Sequence, residues 1–229
     1  MPQKNLCITA MLIVMTTLSG CASLSGQSAR LSNDDLQQVE TIITFGTSLT
    51  AGGAWVGQLD AALEEYAPGK FTVINSGAGG MWSNWGVKNL EKRVIEKKPD
   101  LVFIEFAIND AFLKYETPVE MAQANLITMI DRIHASNPDC IIILMVMSPP
   151  ISEHLERRPK INDYYQMYRE VARDQKIILI DHYPDWAEIL LNDKPLFNRY
   201  VPDGIHPNAI GCAAITTPNI LAALGVKPR

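Results

Sequence analysis

Ser48, Asp203 and His206 are the residues whose types and placement can do chemistry. A serine hydroxyl is a weak nucleophile and needs a neighbouring imidazole to take its proton. The imidazole in turn needs a carboxylate to fix its tautomer and to stabilise the cation it becomes. Asp203 and His206 lie three residues apart, so a single turn brings carboxylate and ring together. Ser48 follows a strand-like run, and a helix N-terminus begins nearby. A tetrahedral oxyanion would then need donors, and glycine N–H groups at Gly77, Gly79 or Gly80 and the amide of Asn109 are the candidates. His182 competes as the base, because Asp181-His182 also ends an apolar run; the carboxylate just before His206 on a loop favours His206. Plainer readings stand beside these. Ser48 can be a helix cap, the glycines turn formers, Asn109-Asp110 turn and cap residues, and His206 a cap of the last helix. Glu105 reads as a structural hydrogen-bonding group within an apolar run.

Other chemistries fail on spacing. A dinucleotide fingerprint starting at Gly77 meets Trp82 where its last glycine belongs, and no Gly-Lys-Ser/Thr is present for a phosphate-cradling loop. The nucleophile elbow Gly-x-Ser-x-Gly fails because Thr50 occupies its second glycine. His134, His154, His182 and His206 form no pair at the helical spacing zinc hydrolases use, so no metal or other cofactor is expected.

The candidate residues need a scaffold, and the hydrophobic pattern supplies one. Five short, β-branched apolar runs stand out at 41–45, 71–75, 101–106, 141–147 and 177–180. Helical spacing separates them: Val56, Leu59, Leu63 and Tyr66, then Val87, Leu90 and Val94, then Leu126, Met129, Ile130 and Ile133, then Tyr164, Met167, Tyr168 and Val171. Thr117-Pro118-Val119-Glu120 reads as a capped helix start, and residues 210–224 as a last helix kinked at Pro218. Continuously apolar strands alternating with helices imply an α/β fold, a parallel sheet covered on both faces. Ligands bind such sheets beyond the carboxyl ends of the strands, where the candidate residues fall.

The segments Phe45-Gly46-Thr47-Ser48-Leu49, Asn75-Ser76-Gly77-Ala78-Gly79-Gly80, Ala107-Ile108-Asn109-Asp110 and Asp203-Gly204-Ile205-His206-Pro207-Asn208 resemble, in order, the four blocks of the SGNH (GDSL-type) hydrolases. The likeness covers roughly residues 40–225. It implies a flavodoxin-like three-layer α/β/α fold around a five-stranded parallel sheet, and ester hydrolysis through an acyl-enzyme. Carried over by position, Ser48 is the nucleophile, His206 the base and Asp203 its orienting carboxylate. The implied oxyanion donors are the Ser48 N–H, the Gly80 N–H and the Asn109 side chain. Three positions depart from the pattern: Thr47 replaces Asp, Ala107-Ile108 replaces Gly-Gly, and Met81 stands where Asp is frequent. None of them removes a reacting group.

The first twenty residues read as an address. Lys4 is the only charged side chain before Arg30, and the apolar run Leu6–Leu18 spans 13 residues. That is short of the about twenty a membrane helix needs but suits a secretory signal. The run ends in Leu18-Ser19-Gly20-Cys21, which resembles the bacterial lipoprotein signal, with Cys21 the lipidated residue. Ala22 after that site points to the outer membrane in a Gram-negative cell. Residues 21–39 then form a polar, Ser/Gln-rich link and residues 40–229 the folded domain. Cys140 and Cys212 fall in apolar runs and read as buried thiols, with a disulfide between them left open.

Composition closes off several partner classes. The chain has 229 residues, 47% hydrophobic and 20% charged, enough for one domain with a substantial core. Lys+Arg 20 against Asp+Glu 25 gives no footprint for nucleic acid. The expected substrate is a small-molecule or glycan ester carrying a short acyl group, since no long apolar loop suggests an acyl-chain tunnel. The membrane is a partner only through the N-terminal lipid. A lysophospholipase or thioesterase, an acyltransferase and a non-catalytic lipid-anchored binding protein are the alternatives. Trp55, Trp82, Trp85 and Tyr200 are candidates for an aromatic sugar platform. Residues 148–160, with the basic cluster Arg157-Arg158-Pro159-Lys160, read as a surface loop bordering the cleft with its charges solvated.

Overall fold

The computed structural model describes residues 30–227. The apolar leader and Cys21 lie outside the described residues. Five strands form one all-parallel sheet in the order β2-β1-β3-β4-β5. They are β1 (Thr41–Gly46), β2 (Thr72–Asn75), β3 (Leu101–Glu105), β4 (Ile141–Val146) and β5 (Ile178–Asp181). All five were expected, and only their ends shift, by one residue. The central strands are buried along almost their whole length, because helices cover both faces of the sheet. One layer holds helices Ser83–Arg93, Val119–Ser136 and Ile161–Gln175, and the other holds Ala54–Tyr66 and Thr217–Leu224.

Four features differ from the sequence expectation. Residues 31–39 are not a free link: Leu31, Leu36 and Val39 are buried in the core and Asn33–Gln38 is a helix, so the polar stretch gives way to folded chain before residue 39. This segment sits at the amino ends of the strands, where Lys70 Nζ donates to the Gln37 carbonyl and the Glu40 and Thr41 N–H groups donate to Asp100. Second, Thr117 does not cap its helix. The helix begins at Val119 after Pro118, and the Thr117 hydroxyl turns back to the Tyr115 carbonyl at 3.1 Å. Third, the last helix runs on through Pro218, and the irregularity lies just before it, where residues Cys212–Thr216 are wound as a wider π-turn. Fourth, residues 183–192 and 194–200 form two further helices that bury Trp186, Phe197 and Val201 in a small core of their own. Cys140 and Cys212 are free and buried, so no disulfide joins them.

Candidate active site

Ser48 opens a short helix, Ser48–Ala51, at the carboxyl end of β1. The turn is held from below by Glu105, the last residue of β3. The buried Glu105 carboxyl accepts from the Thr47 N–H at 2.7 Å, the Thr50 hydroxyl at 2.8 Å and the Thr47 hydroxyl at 2.9 Å. Thr47 meanwhile caps the helix, its oxygen accepting from the Leu49 N–H. This gives the unusual Thr47 a physical reason: a second carboxylate there would face the first. Residue 46 must be glycine, since a Cβ would lie 2.4 Å from Glu105 Oε1 and 2.6 Å from Thr50 Oγ1. Burial drives the Glu105 carboxyl up to about 7 despite its three donors.

The second partner arrives from the far end of the chain. Asp203 and His206 lie on the loop after the 194–200 helix, whose buried Phe197 and Val201 anchor one side of it. The Ile151 N–H donates to the Gly204 carbonyl and the Asn208 N–H to the Tyr200 carbonyl, fixing the loop at both ends. His206 Nε2 then lies 2.8 Å from Ser48 Oγ, and its Nδ1 lies 2.6 Å from Asp203 Oδ2. Asp203 Oδ1 also accepts from the backbone N–H groups of Ile205 and His206. Partial burial pushes the Asp203 carboxyl up, but these hydrogen bonds outweigh it and hold it below the usual range. A charged carboxylate on Nδ1 leaves Nε2 as the lone-pair nitrogen, aimed at the serine hydroxyl.

The expected oxyanion donors face the same place. Ser48, Gly80, Asn109 and His206 line one cleft of about 300 Å³. Gly80 has φ +71°, a conformation that favours glycine, and its carbonyl accepts from the Tyr115 hydroxyl. Among the described residues, the N–H groups of Ser48 and Gly80 meet no protein acceptor. The Asn109 amide donates to the Met81 carbonyl at 2.8 Å and keeps one N–H in hand. A second recess of about 20 Å³ also opens at Ser48 and His206, lined by Leu49, Gly53, Trp55, Met147, Pro207 and Cys212.

The structure separates other candidates from this cleft. His182 is fully buried, accepts a 3.4 Å contact from Asn219 Nδ2, and is pushed down to about 3 by burial, so it stays neutral in the interior. Asp110 acts as a cap, though across the chain, accepting from the Ser83 N–H at the start of the 83–93 helix. The aromatic platform is corrected as well. Trp55 is buried and reaches only the small recess at Ser48, Trp85 packs on Phe45 and Phe106, and Tyr200 packs on Trp186. Phe112 and Tyr115 line the cleft instead, with Trp82 stacked behind Tyr115 at 4.4 Å. The basic cluster splits: Arg157 is exposed, whereas Arg158 is buried and lines the cleft with His154. No periodicity marked Phe112, Tyr115, His154 or Arg158, because their burial depends on where the 148–160 loop lies.

A serine, an imidazole and a carboxylate in hydrogen-bonded series beside free N–H donors form a centre able to transfer an acyl group. The model of the GDSL-like Lipase/Acylhydrolase family matches residues 43–214. Esterase TesA of Pseudomonas aeruginosa is 27% identical over 191 residues, covering 83% of this chain and 88% of the relative. The isoamyl acetate-hydrolyzing esterase 1 homolog of Bos taurus is 26% identical over 185 residues, covering 72% of this chain and 74% of the relative. Axe2, an acetylxylan esterase from Geobacillus stearothermophilus, superposes with TM-score 0.70 at 22% identity, over 83% of this chain and 97% of its own. The chain therefore belongs to the GDSL-like lipase/acylhydrolase family and is an esterase of that family.

Proposed function

We propose that the protein is a serine esterase that removes short acyl groups, acetyl first among them, from a glycan or a small ester. The observation that carries this is the Ser48–His206–Asp203 series, with contacts of 2.8 and 2.6 Å. His206 takes the Ser48 proton as Oγ attacks the ester carbonyl. The oxyanion accepts from the Ser48 and Gly80 N–H groups and the Asn109 amide. His206 then returns the proton to the leaving alcohol, and water repeats the cycle on the acyl-serine. Asp203 remains a carboxylate throughout.

The two recesses at Ser48 support a small acyl group and a larger alcohol. The apolar recess of about 20 Å³ has room for a methyl-sized group, and the cleft of about 300 Å³ for a ring. The acetate esters in the names of two of the relatives point the same way. The leader and Cys21 further support export and lipid anchoring in the cell envelope, at the outer membrane of a Gram-negative cell, which puts glycans within reach. Labelling with a palmitate analogue should mark the wild type and not Cys21→Ser.

The deciding experiment compares p-nitrophenyl acetate with a long-chain ester, for wild type and Ser48→Ala. Turnover of acetate that vanishes in Ser48→Ala is expected. Preference for the long chain would replace the short-acyl reading with a lipid one, and full activity in Ser48→Ala would end the serine mechanism. Addition of an acceptor glycan should leave free acetate as the product; acetylated glycan would make the protein an acyltransferase.

A further inference from the structure

We infer that Arg158 is a positioning residue of this centre, locking the Asn109 amide so that its one free N–H faces the oxyanion. The inference rests on the serine-esterase reading above. Arg158 is 4% exposed, and its Nη2 lies 3.2 Å from Asn109 Oδ1. A guanidinium can only donate, so the atom it meets must be the amide oxygen. The Met81 carbonyl can only accept, so the atom it meets, at 2.8 Å, must be the amide nitrogen. Two contacts of opposite kind, one on each end of the amide, leave no flipped alternative. With the arginine gone, the Met81 carbonyl alone orients the amide, and the free N–H is no longer held on the oxyanion from the oxygen side.

Arg158 is itself rigidly held. Its Nε donates to the Ile108 carbonyl at 2.7 Å and its Nη1 to the His154 carbonyl at 3.2 Å, while its guanidinium lies 4.5 Å from the Phe112 ring centre. It makes no ion pair among the described residues. A buried cation without a carboxylate is destabilising compared with an apolar side chain of the same volume. What the charge does here is polarise the Asn109 amide from its oxygen side, strengthening the N–H as a donor, in a cleft where negative charge develops during the reaction.

The test is a double-substitution cycle on the full-length enzyme with p-nitrophenyl acetate, using Arg158→Met, Asn109→Ala and both together. Loss of an oxyanion donor lowers kcat by about 10²–10³-fold, so Asn109→Ala should fall in that range. Arg158→Met should lower kcat by about tenfold or more with KM changed less than about threefold, and should cost less than about threefold in the Asn109→Ala background. An equal loss with and without Asn109, a loss confined to KM, or wild-type kcat in Arg158→Met overturns the assignment. If Arg158→Met does not fold, Arg158→Lys carries the same comparison, since an ammonium keeps the charge but cannot make the fork of contacts. Ser48→Ala runs alongside. Activity surviving there sinks the serine reading itself, whereas an inert Ser48→Ala with independent arginine effects sinks only the role of Arg158.

Discussion

Glu105→Gln tests whether the nucleophile turn rests on a carboxyl that is neutral when most stable. Burial raises this group from 4.5 to about 7, with Asp110 nearby adding to the effect. Between those values the folded protein holds a proton that the unfolded chain has released. Stability is therefore lost as pH rises from about 4.5 to about 7 and does not return above it. At about 1.4 kcal/mol for each pH unit, the loss amounts to roughly 3 kcal/mol. Glutamine copies the protonated acid: its oxygen can take the three donors that meet Oε1, and its NH₂ faces Thr47 Oγ1, which lies 3.1 Å from Oε2. The variant should match wild type to within about 1 kcal/mol at pH 5 and exceed it at pH 8. For a domain of this size the relative gain is roughly 6–12 °C in Tm. Urea unfolding followed by tryptophan fluorescence at pH 5, 6, 7 and 8 measures it. The slope left in the variant combines Asp110, which burial also raises to about 7 and which loses stability as pH rises, with His182, which burial lowers to about 3 and which gains stability up to about pH 6.5. Parallel curves for the two proteins, or wild type gaining on the variant as pH rises, would mean the donors hold Glu105 ionised, and the reasoning would be wrong.

Asp203→Asn should lower kcat by about 10²–10⁴-fold with little change in Tm, because an NH₂ facing His206 Nδ1 moves the ring proton to Nε2, against Ser48; activity within threefold of wild type would contradict that geometry. Ser152 holds φ 52° and ψ −133°, a conformation that suits glycine. Ser152→Gly should stabilise by about 1 kcal/mol, roughly 2–4 °C in a thermal scan, and a lower Tm would show that the turn is unstrained.

Much of this was legible because a parallel sheet buries its strands on both faces. Continuous runs such as 101–105 and 141–146 admit no solvent-facing alternation, and they left only the ends to adjust. The reacting residues were legible for a related reason: Ser48, Asn109 and the Asp203–His206 turn follow strands or helices as short blocks with internal spacing. What escaped notice depends on distant packing. Arg158 sits in a run of charges that reads as solvated, and only the path of the 148–160 loop over Phe112 and Asn109 buries it. Tyr164 and Tyr168 look like part of a helix face and no periodicity marks Tyr165, yet the three hydroxyls tie down the Thr117 carbonyl, the Phe106 N–H and the Ser148 carbonyl respectively, holding the loops after β3 and β4. Residues 33–38 look like linker because a six-residue helix shows only one buried position, Leu36.

That helix lies far from the chemistry. It enters the fold at the amino ends of the strands, beside Asp100 and Lys70, while Ser48 lies at the carboxyl end of the six-residue β1. At about 3.3 Å per residue, roughly 20 Å of packed sheet lies between the two. The helix and the cleft therefore stand at opposite ends of the sheet, so a substitution on the 33–38 helix reaches Ser48 only through the packed core.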